Sequence, residues 1–368
     1  MNGKNRNIIV IAVMAVLLFG MSLWSWMKGA DEYSESERRI LADFPGITAD
    51  SVESGAFMQD FESYAMDQFP LRDKFRGLKS FSELSVFRKL DNNGLYPEDG
   101  YISKTEYPLN EEMLDYAAER FRYIYDNYLS DKDMNIYFSI VPDKNYYTAP
   151  ETERLSLDYS AMIEKMREKT EYMAYIDITE LLEKEDYYRT DTHWRQEKII
   201  DIAEKLASEM GAVLESEYTV NELDNPFYGV YCGQLALLVE PDTIRYLTSE
   251  TLEQCRVTSW STGTEEESVL YNMEKAFGKD PYEMFLSGSE PLLTIENPNA
   301  DTERELIIFR DSFASSLAPL LADGYSKITL VDIRYVRSSM LGNFIEFGNQ
   351  DVLFLYSTLL LNNSMAMK

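Results

Sequence analysis

The sequence predicts an α/β protein in which helices cover both faces of a mostly parallel sheet, preceded by one N-terminal transmembrane helix. Three observations predict this class. Five short apolar runs have the length and composition of buried strands, amphipathic helical patterns separate several of them, and a long uncharged run lies near the N-terminus. Strands that alternate with helices favour parallel pairing, because each helical crossover returns the chain to the same end of the sheet.

The first element is the apolar run over residues 8–26, which reads IIVIAVMAVLLFGMSLWSW. A helix of that length rises roughly 28 Å, which is close to the thickness of the hydrocarbon layer of a bilayer. Lys4 and Arg6 precede the run, and basic residues favour the cytoplasmic side of a membrane. We therefore expect a cytoplasmic tail over residues 1–7, a transmembrane signal anchor over 8–26, and an extracytoplasmic location for the rest.

The anchor leads into a polar, acidic stretch over residues 27–54, which we expect to be a spacer before a folded domain over residues 55–368. A cleaved signal peptide is the alternative interpretation of the apolar run, and it would give a secreted protein. A cut after Ala30 would place Lys28 at the −3 position, where a small residue is needed. The sequence therefore favours an uncleaved anchor.

Composition excludes several classes of function. The 368 residues include 35 basic and 64 acidic side chains, a net charge of −29, whereas nucleic-acid binding needs a basic surface to neutralise phosphates. One histidine, His193, and two cysteines, Cys232 and Cys255, are too few for a multi-histidine or four-cysteine metal centre. We expect no metal and no cofactor. An exported protein permits a disulfide between the two cysteines, and two buried thiols are the alternative.

The predicted strands are bounded by polar, glycine or proline residues. They lie at 135–141, 172–178, 306–309, 328–333 and 352–356. Apolar side chains spaced by three and four predict an amphipathic helix over residues 109–128. The rhythm of strands and helices is lost between about 215 and 300, so we expect this acidic stretch to be an insertion over the sheet.

Two segments carry side chains suited to chemistry, and the first is Asp191-Thr192-His193-Trp194. Apolar residues after it recur at helical spacing until Gly211 ends the pattern, so His193 lies shortly before a helix. Asp191 is two residues from His193, near enough in a turn to accept the Nδ1 proton and fix the tautomer of the ring. The pair has the composition of a general base with its orienting carboxylate.

The second segment is an apolar strand that leads directly into Arg310-Asp311-Ser312-Phe313. A serine between a strand and a helix exposes its hydroxyl at the carboxyl edge of the sheet, where open α/β sheets bind ligands. Backbone N–H groups at the start of the next helix are suited to stabilise an oxyanion there. Ser312, His193 and Asp191 together form a candidate catalytic triad, although each residue type alone is more often structural.

A third group of candidates follows the first predicted strand. If the sheet is parallel, Lys144 and Asn145 lie at the same edge as Ser312, and we expect them to position a substrate carbonyl or a sugar. A solvated lysine in a capped loop is at least as good an interpretation. Trp194 is a third candidate for substrate binding, by stacking on a sugar face, with core packing as the alternative.

The segment Asp191-Thr192-His193-Trp194 resembles the signature of the DHHW protein family. It is similar to the DTHW-type motif of the alginate O-acetylation proteins, whose catalytic domains are SGNH-hydrolase-like. Further segments agree in order and extend the resemblance over about residues 55 to 360. They are Asp67-Gln68-Phe69-Pro70-Leu71-Arg72-Asp73, Val141-Pro142-Asp143-Lys144, Arg310-Asp311-Ser312-Phe313 and Val331-Asp332-Ile333-Arg334-Tyr335.

The resemblance implies a three-layer α/β/α fold and a Ser–His–Asp triad that acts on O-acyl esters of surface glycans. By position it makes Ser312 the nucleophile, His193 the general base and Asp191 the residue that orients the base. Arg310 stands where the GDS motif of SGNH enzymes has glycine. The Asp-x-His pair also precedes the serine, unlike the usual order, but a triad is defined by geometry rather than by chain order.

The sequence therefore predicts an extracytoplasmic, membrane-anchored O-acyltransferase or esterase that acts on a cell-envelope polysaccharide. The expected partners are a cell-surface glycan, the membrane and a membrane protein that donates acyl groups, with no nucleic acid among them. A non-catalytic envelope protein that binds a glycan or a partner through the same cleft is the alternative. A metal site at His193 and Asp191 is a weaker one, because one histidine with scattered carboxylates is a poor zinc set.

Overall fold

The computed structural model describes residues 3–152, 154–237 and 239–368. The chain forms two compact units. The first runs to Asn93 and also includes the short segment that starts at Cys232, and the second runs from Gly94 to Tyr231 and from Val239 to the C-terminus. All the candidate site residues belong to the second unit.

The first unit begins with an apolar helix from Lys4 to Met27, which by length and composition is able to cross a membrane. A wider helical turn in its middle leaves the helix continuous. Later in this unit Thr48 caps a short helix by accepting a hydrogen bond from the Ser51 N–H. The elements are α1 (Gly3–Ala15), the wide turn (Val16–Gly20), α2 (Met21–Met27), β1 (Tyr33–Ser34), β2 (Arg39–Ile40), α3 (Ala49–Glu53), α4 (Ala56–Asp67), α5 (Arg72–Phe81) and a second wide turn (Ser82–Val86).

The second unit is built on a mixed sheet of eight strands, in the spatial order β10-β9-β11-β13-β12-β14-β5-β6. The strands of this unit are β3 (Leu95–Glu98), β4 (Tyr101–Lys104), β5 (Ile136–Val141), β6 (Ala174–Tyr175), β7 (Thr219–Glu222), β8 (Arg245–Thr248), β9 (Arg256–Ser259), β10 (Glu266–Ser268), β11 (Leu292–Glu296), β12 (Glu305–Arg310), β13 (Lys327–Val331) and β14 (Asp351–Ser357). The pairings from β13 to β6 are parallel, and the three at the other end are antiparallel. The pairs β3–β4 and β7–β8 lie outside this sheet.

Apolar side chains from both faces of the sheet are buried under helices. Along β12, Leu306 and Ile308 belong to one core cluster, whereas Ile307 and Phe309 belong to the other. The helices of this unit are α6 (Glu111–Ile124), α7 (Asn145–Thr152), α8 (Tyr159–Lys169), α9 (Ile200–Glu209), α11 (Glu250–Gln254), α12 (Met273–Ala276), α13 (Ala314–Leu317) and α14 (Thr358–Leu361). A further helix, α10 (Val230–Leu235), starts in this unit and ends in the segment assigned to the first. Short helical turns lie at Tyr125–Leu129, Thr179–Leu181, Lys184–Asp186, Gln196–Lys198, Pro281–Met284, Ala318–Gly324, Ser338–Asn343 and Ser364–Ala366. α9 and α13 pack on the first cluster and α6 and α8 on the second, which confirms the predicted three-layer α/β/α class.

The five strands predicted from the sequence are all present, as β5, β6, β12, β13 and β14. They are the five that pair in parallel, as the alternation with helices predicts. The helix predicted over 109–128 is found as α6 and its continuation to Leu129. Because the five strands run side by side in one direction, their carboxyl ends lie at one edge of the sheet.

The stretch between 215 and 300 contributes more to the sheet than the sequence predicts. It supplies β9, β10 and β11, which extend the sheet beyond β13. Val257, Leu293 and Ile295 on these strands are buried in the core cluster on one face of the sheet. The same stretch contains Cys255, and the structure has Cys232 and Cys255 as thiols.

Candidate active site

The three residues of the candidate triad meet at the carboxyl edge of the sheet. β12 ends at Arg310, and Ser312 lies in the turn that leads into α13. The Oγ atom of Ser312 is 2.8 Å from Nε2 of His193, and Nδ1 of His193 is 2.6 Å from Oδ1 of Asp191. With the Nδ1 proton donated to the carboxylate, Nε2 is the acceptor for the Ser312 hydroxyl proton.

Burial within the triad increases from the serine to the carboxylate. Ser312 and His193 are partly exposed, whereas the side chain of Asp191 is only 1% exposed. The turn that carries Asp191 and His193 is closed by the backbone, since the Tyr188 N–H donates to the His193 carbonyl at 3.0 Å. A ligand therefore reaches the hydroxyl and the imidazole from solvent but does not reach the carboxylate.

A second loop holds the outer side of Asp191. The Val230 N–H donates to Oδ2 of Asp191 at 2.8 Å, so both carboxylate oxygens accept hydrogen bonds. Gly229 passes so close that a Cβ atom there would lie 2.4–2.5 Å from the Cβ, Cα and N atoms of Asp191. Only glycine permits this approach, because a side chain would displace the carboxylate.

Two buried side chains hold the turn that carries Ser312. Asp311 accepts hydrogen bonds from the Phe313 N–H at 3.0 Å and from the Ser357 N–H at the end of β14 at 2.8 Å. Trp194 donates its indole N–H to the Phe313 carbonyl at 3.1 Å and to Ser316 Oγ at 3.0 Å. Trp194 therefore joins the turn of the base to the turn of the serine, which explains why the tryptophan directly follows the histidine.

The ring of Tyr282 covers one face of the imidazole. The centroids of Tyr282 and His193 are 3.8 Å apart, and the planes differ by 8°. The Tyr282 hydroxyl lies 3.0 Å from Ser316 Oγ, and burial raises the pKa of this phenol well above its ordinary value. Tyr282 is thus a neutral aromatic ring that restricts the rotation of the His193 imidazole.

Comparison with known proteins bears on the fold. The sequence matches no protein-family model and no curated protein. Among solved structures, a DHHW family protein from Eubacterium siraeum is similar at 21% identity and a TM-score of 0.59, over 75% of this chain and 95% of that one. The chain shares its fold with a DHHW family protein.

Two further solved structures are similar to the chain. PatB1 of Bacillus cereus, in a structure with a sulfonyl adduct, has 19% identity and a TM-score of 0.56 over 73% of this chain and 95% of that one. The O-acetyltransferase domain of Pseudomonas putida AlgJ has 13% identity and a TM-score of 0.45, over 73% and 92%. At 19% identity the likeness to PatB1 concerns the fold.

The structure gives the three predicted substrate-binding residues different surroundings from those expected. Lys144 is buried, and its ammonium donates to the carbonyls of residues 188, 189 and 191 at 2.6, 3.2 and 2.8 Å. In the protonated form, all three of its protons therefore point to backbone carbonyls inside the protein. Trp194 is fully buried between the turn of His193 and the turn of Ser312, so its ring is not available to a sugar.

Asn145 is also fully buried, and its Oδ1 accepts a hydrogen bond from the Tyr96 hydroxyl at 2.7 Å. Its backbone N–H donates to Asp143 at 2.9 Å. Lys144 contacts the backbone of Asp191, and the sequence does not reveal that the side chains of Lys144 and Asn145 are both buried inside the protein. Lys144 supports the backbone of the turn that carries Asp191, which is a positioning contact rather than a substrate contact.

Arg310 occupies the position at which the resemblance expects glycine. Its guanidinium is buried and donates to Ser315 Oγ at 2.6 Å, with longer contacts to the carbonyls of Gly288 and Glu290. Burial lowers the pKa of Arg310, while the carboxylate of Asp332 acts in the opposite direction. Arg310 therefore links the end of β12 to α13 and to the loop that precedes β11.

Two residues of the site have no signal in the sequence. Tyr282 and Gly229 both come from the stretch between 215 and 300, which has neither a motif nor a regular pattern of strands and helices. Tyr282 stacks on His193, which lies 89 positions earlier in the chain, and Gly229 contacts Asp191, which lies 38 positions earlier. A sequence pattern reports local structure, so long-range contacts of this kind are not visible in it.

Proposed function

We propose that the protein is an extracytoplasmic, membrane-anchored O-acyltransferase or esterase that acts on a cell-envelope polysaccharide. The observation that carries the proposal is the chain of two hydrogen bonds from Ser312 Oγ through His193 to Asp191, at 2.8 and 2.6 Å. This arrangement activates a serine hydroxyl for attack on an acyl group. The likeness in fold to a DHHW family protein agrees with the resemblance from which the site was predicted.

In the first half of the reaction, Ser312 Oγ attacks the carbonyl carbon of the acyl donor and its proton moves to Nε2 of His193. The tetrahedral intermediate collapses when the bond from the carbonyl carbon to the leaving alkoxide oxygen breaks. The imidazolium returns its proton to that oxygen, so the products are an alcohol and an acyl-serine. Asp191 stabilises the imidazolium through Nδ1 and remains ionised throughout.

In the second half, a sugar hydroxyl or water attacks the acyl-serine. His193 takes the proton of the attacking oxygen and then gives it to Ser312 Oγ as the acyl bond to the serine breaks. A sugar acceptor gives an O-acylated glycan, and water gives a free carboxylic acid. Both outcomes use the same residues, and the acceptor that occupies the cleft decides between them.

The proposed location comes from the N-terminal apolar helix. Its length suits a membrane span, and its flanking basic residues favour a cytoplasmic N-terminus. An anchored, extracytoplasmic enzyme has the envelope glycan as its accessible acceptor. Acyl groups then come from a donor at the membrane, and we propose a membrane protein as its source.

A serine-reactive sulfonyl fluoride tests the chemistry directly, because it needs no knowledge of the natural substrate. We expect one covalent adduct per chain, mapped to Ser312 by peptide mass spectrometry, and none in Ser312→Ala. The exposed Ser261 offers a matched control, since Ser261→Ala removes a hydroxyl from the same unit away from the triad. Wild-type protein that is folded and gains no adduct would refute the catalytic proposal and favour a glycan-binding role.

Transfer and hydrolysis are separated by a second measurement. Purified protein is mixed with an activated acetyl ester, with and without an oligosaccharide prepared from bacterial envelope. An acyltransferase produces acetylated sugar at the expense of free acetate, and an esterase releases acetate at the same rate in both cases. Loss of both products in Ser312→Ala, with retention in Ser261→Ala, is expected in either case.

A further inference from the structure

The segment from Leu71 to Leu90 differs in charge from the rest of the protein. It contains six basic and two acidic residues, a net charge of +4 in a chain whose net charge is −29. Most of it forms α5 and the wide turn that follows. A basic helix with exposed apolar side chains is typical of proteins that lie on a membrane surface.

One side of α5 is packed inside the first unit. Arg76 donates to the carbonyl of Gly233 at 2.8 Å, and Ser80 donates to the carbonyl of Leu235. Gly77 lies between them, where a Cβ atom would be 2.9 Å from the carbonyl oxygen of Ala236. The orientation of the helix about its axis is therefore fixed by close backbone contacts.

The opposite side of α5 is apolar and exposed. Phe75 and Leu78 are 44% and 59% exposed, and Leu71 and Phe81 extend the same side toward the two ends of the helix. After the helix, large apolar side chains remain exposed up to Leu90. The four exposed apolar side chains along the helix, Leu71, Phe75, Leu78 and Phe81, form the apolar stripe.

Lysines flank the centre of the apolar stripe. At 3.6 residues per turn, Lys74 and Lys79 lie on either side of Phe75 and Leu78. Both lysines are exposed, and Lys79 donates to Asn93 Oδ1 at 3.2 Å. The arginines of the helix point the other way, since Arg72 and Arg76 pair with Glu37. The charge that accompanies the stripe is thus carried by flexible lysine side chains, which reach past an apolar surface toward polar headgroups.

The N-terminus of α5 is tied to the end of the apolar helix. The Gln68 side chain forms two hydrogen bonds with the backbone of Asp31, at 2.8 and 2.9 Å, and Ser25 Oγ contacts the Gln68 carbonyl at 3.4 Å. Gln68 is three residues before Leu71, where the stripe begins. If the apolar helix crosses a membrane, α5 starts at the boundary between lipid and water.

We propose that α5 binds the surface of a bilayer that contains anionic lipid, with the apolar stripe among the acyl chains and with Lys74 and Lys79 at the headgroups. The basic flanks in an acidic chain, and the tie to the end of the apolar helix, favour lipid over a second copy of this protein. The inference depends on the proposed membrane anchor and not on the chemistry of Ser312. Its consequence is that the first unit has a fixed orientation on the membrane.

The test places an environment-sensitive fluorophore on α5 of the full-length chain in lipid nanodiscs. The label is attached through Leu78→Cys in a Cys232→Ser, Cys255→Ser background. In nanodiscs that contain phosphatidylglycerol we expect blue-shifted emission and protection from an aqueous quencher. Replacing Lys74 and Lys79 by glutamine removes two charges, and it should lower the ratio of lipid-bound to water-exposed label about thirty-fold.

Two control positions make each outcome interpretable. A label at Met58→Cys occupies an equally exposed apolar position, 64% exposed on α4, among acidic neighbours, and should remain in water. A label at Leu18→Cys reports whether the apolar helix itself lies in the bilayer. A protected label at Leu18 with a water-exposed label at Leu78 would overturn the inference while leaving the anchor intact.

A second measurement uses the wild-type chain and does not depend on the cysteine substitutions that carry the label. The wild-type chain is placed in nanodiscs with a photoactivatable phospholipid, and crosslinked peptides are mapped. Crosslinks over residues 71–90 support the inference, and crosslinks restricted to the apolar helix oppose it. Labelling of Ser312 by the sulfonyl fluoride should be the same in wild type and in the Lys74→Gln, Lys79→Gln variant, so failure here is distinct from failure of the proposed chemistry.

Discussion

The rings of Tyr282 and His193 lie parallel, with their centroids 3.8 Å apart. Tyr282 covers a face of the imidazole, whereas the hydrogen bonds to Ser312 and Asp191 are made by the nitrogen atoms at the edge of the ring. In the proposed reaction the imidazole gains a proton when the serine attacks. An aromatic face is attracted to a cation, so the stack favours the protonated ring that forms in the transition state. Tyr282 is therefore a positioning and stabilising residue for the base.

Replacing Tyr282 by leucine should lower kcat/KM for an activated ester about tenfold, because an attraction of roughly 1–2 kcal/mol to the imidazolium is lost while the apolar volume is largely kept. Tyr282→Phe is the matched control. It keeps the ring, loses only the hydrogen bond to Ser316, and should stay within a few-fold of wild type. Equal losses in both variants would show that the hydroxyl matters rather than the stack.

Gly229→Ala should impair the site more than the overall fold. The added Cβ would lie 2.4–2.5 Å from atoms of Asp191, so the carboxylate or the Val230 loop must move, and the hydrogen bond from the Val230 N–H is weakened. We expect a loss of roughly 10²-fold in kcat and about 1–3 kcal/mol in the free energy of unfolding. Activity assays and urea unfolding check the two numbers. Gly348→Ala, where the added Cβ meets nothing closer than 3.8 Å, should leave both near wild type.

The contrast between Gly229 and Ser312 shows which parts of the site can be predicted from the sequence. Ser312 follows an apolar strand directly, and the parallel order of five predicted strands then places it at the sheet edge, so local patterns suffice. Gly229 has no local pattern, and only the folded chain brings it against Asp191. β10 has the sequence Glu266-Glu267-Ser268, which carries no apolar signal and pairs because β9 lies beside it.

Lys144 shows a second limit. A lysine after a strand is usually solvated, and the sequence contains nothing to indicate that three carbonyls, more than forty positions downstream, surround its ammonium. The same holds for Trp194, whose neighbours Phe313 and Ser316 lie on another segment. The triad residues are thus easier to predict than the residues that support them. The triad residues lie in a motif or at the end of a strand, whereas the supporting contacts of Lys144 and Trp194 join distant segments.

Asp191→Asn should reduce kcat roughly 10³- to 10⁴-fold with little change in stability. An asparagine has one amide oxygen for two sets of donors, because Oδ1 of Asp191 accepts from the His193 N–H and from Nδ1, and Oδ2 accepts from the Val230 N–H. The activity is lost through the orientation that places the amide oxygen on Val230 and the NH₂ against Nδ1 of His193. Nδ1 must then be an acceptor, so the proton moves to Nε2 and the ring no longer accepts the Ser312 proton. ¹⁵N spectra of the ring report the tautomer without ambiguity, because the chain contains a single histidine. A variant that keeps the wild-type tautomer but loses activity would contradict this explanation.

Lys144 should make the stability of the protein depend on pH above neutrality. Burial lowers the pKa of Lys144 from 10.5 to about 7, opposed by the carboxylates of Asp242, Asp191 and Asp143. Between these two values the unfolded chain binds a proton at this site that the folded chain has released. The free energy of unfolding should therefore rise as the pH increases from about 7 to 10.5, by up to about 1.4 kcal/mol per pH unit from this group. As the pH falls back toward 7, the folded chain takes up the proton and this contribution is lost. Urea unfolding at a series of pH values measures the slope. Lys144→Met has no proton to exchange, so a slope as steep in this variant as in wild type would assign the effect to other groups.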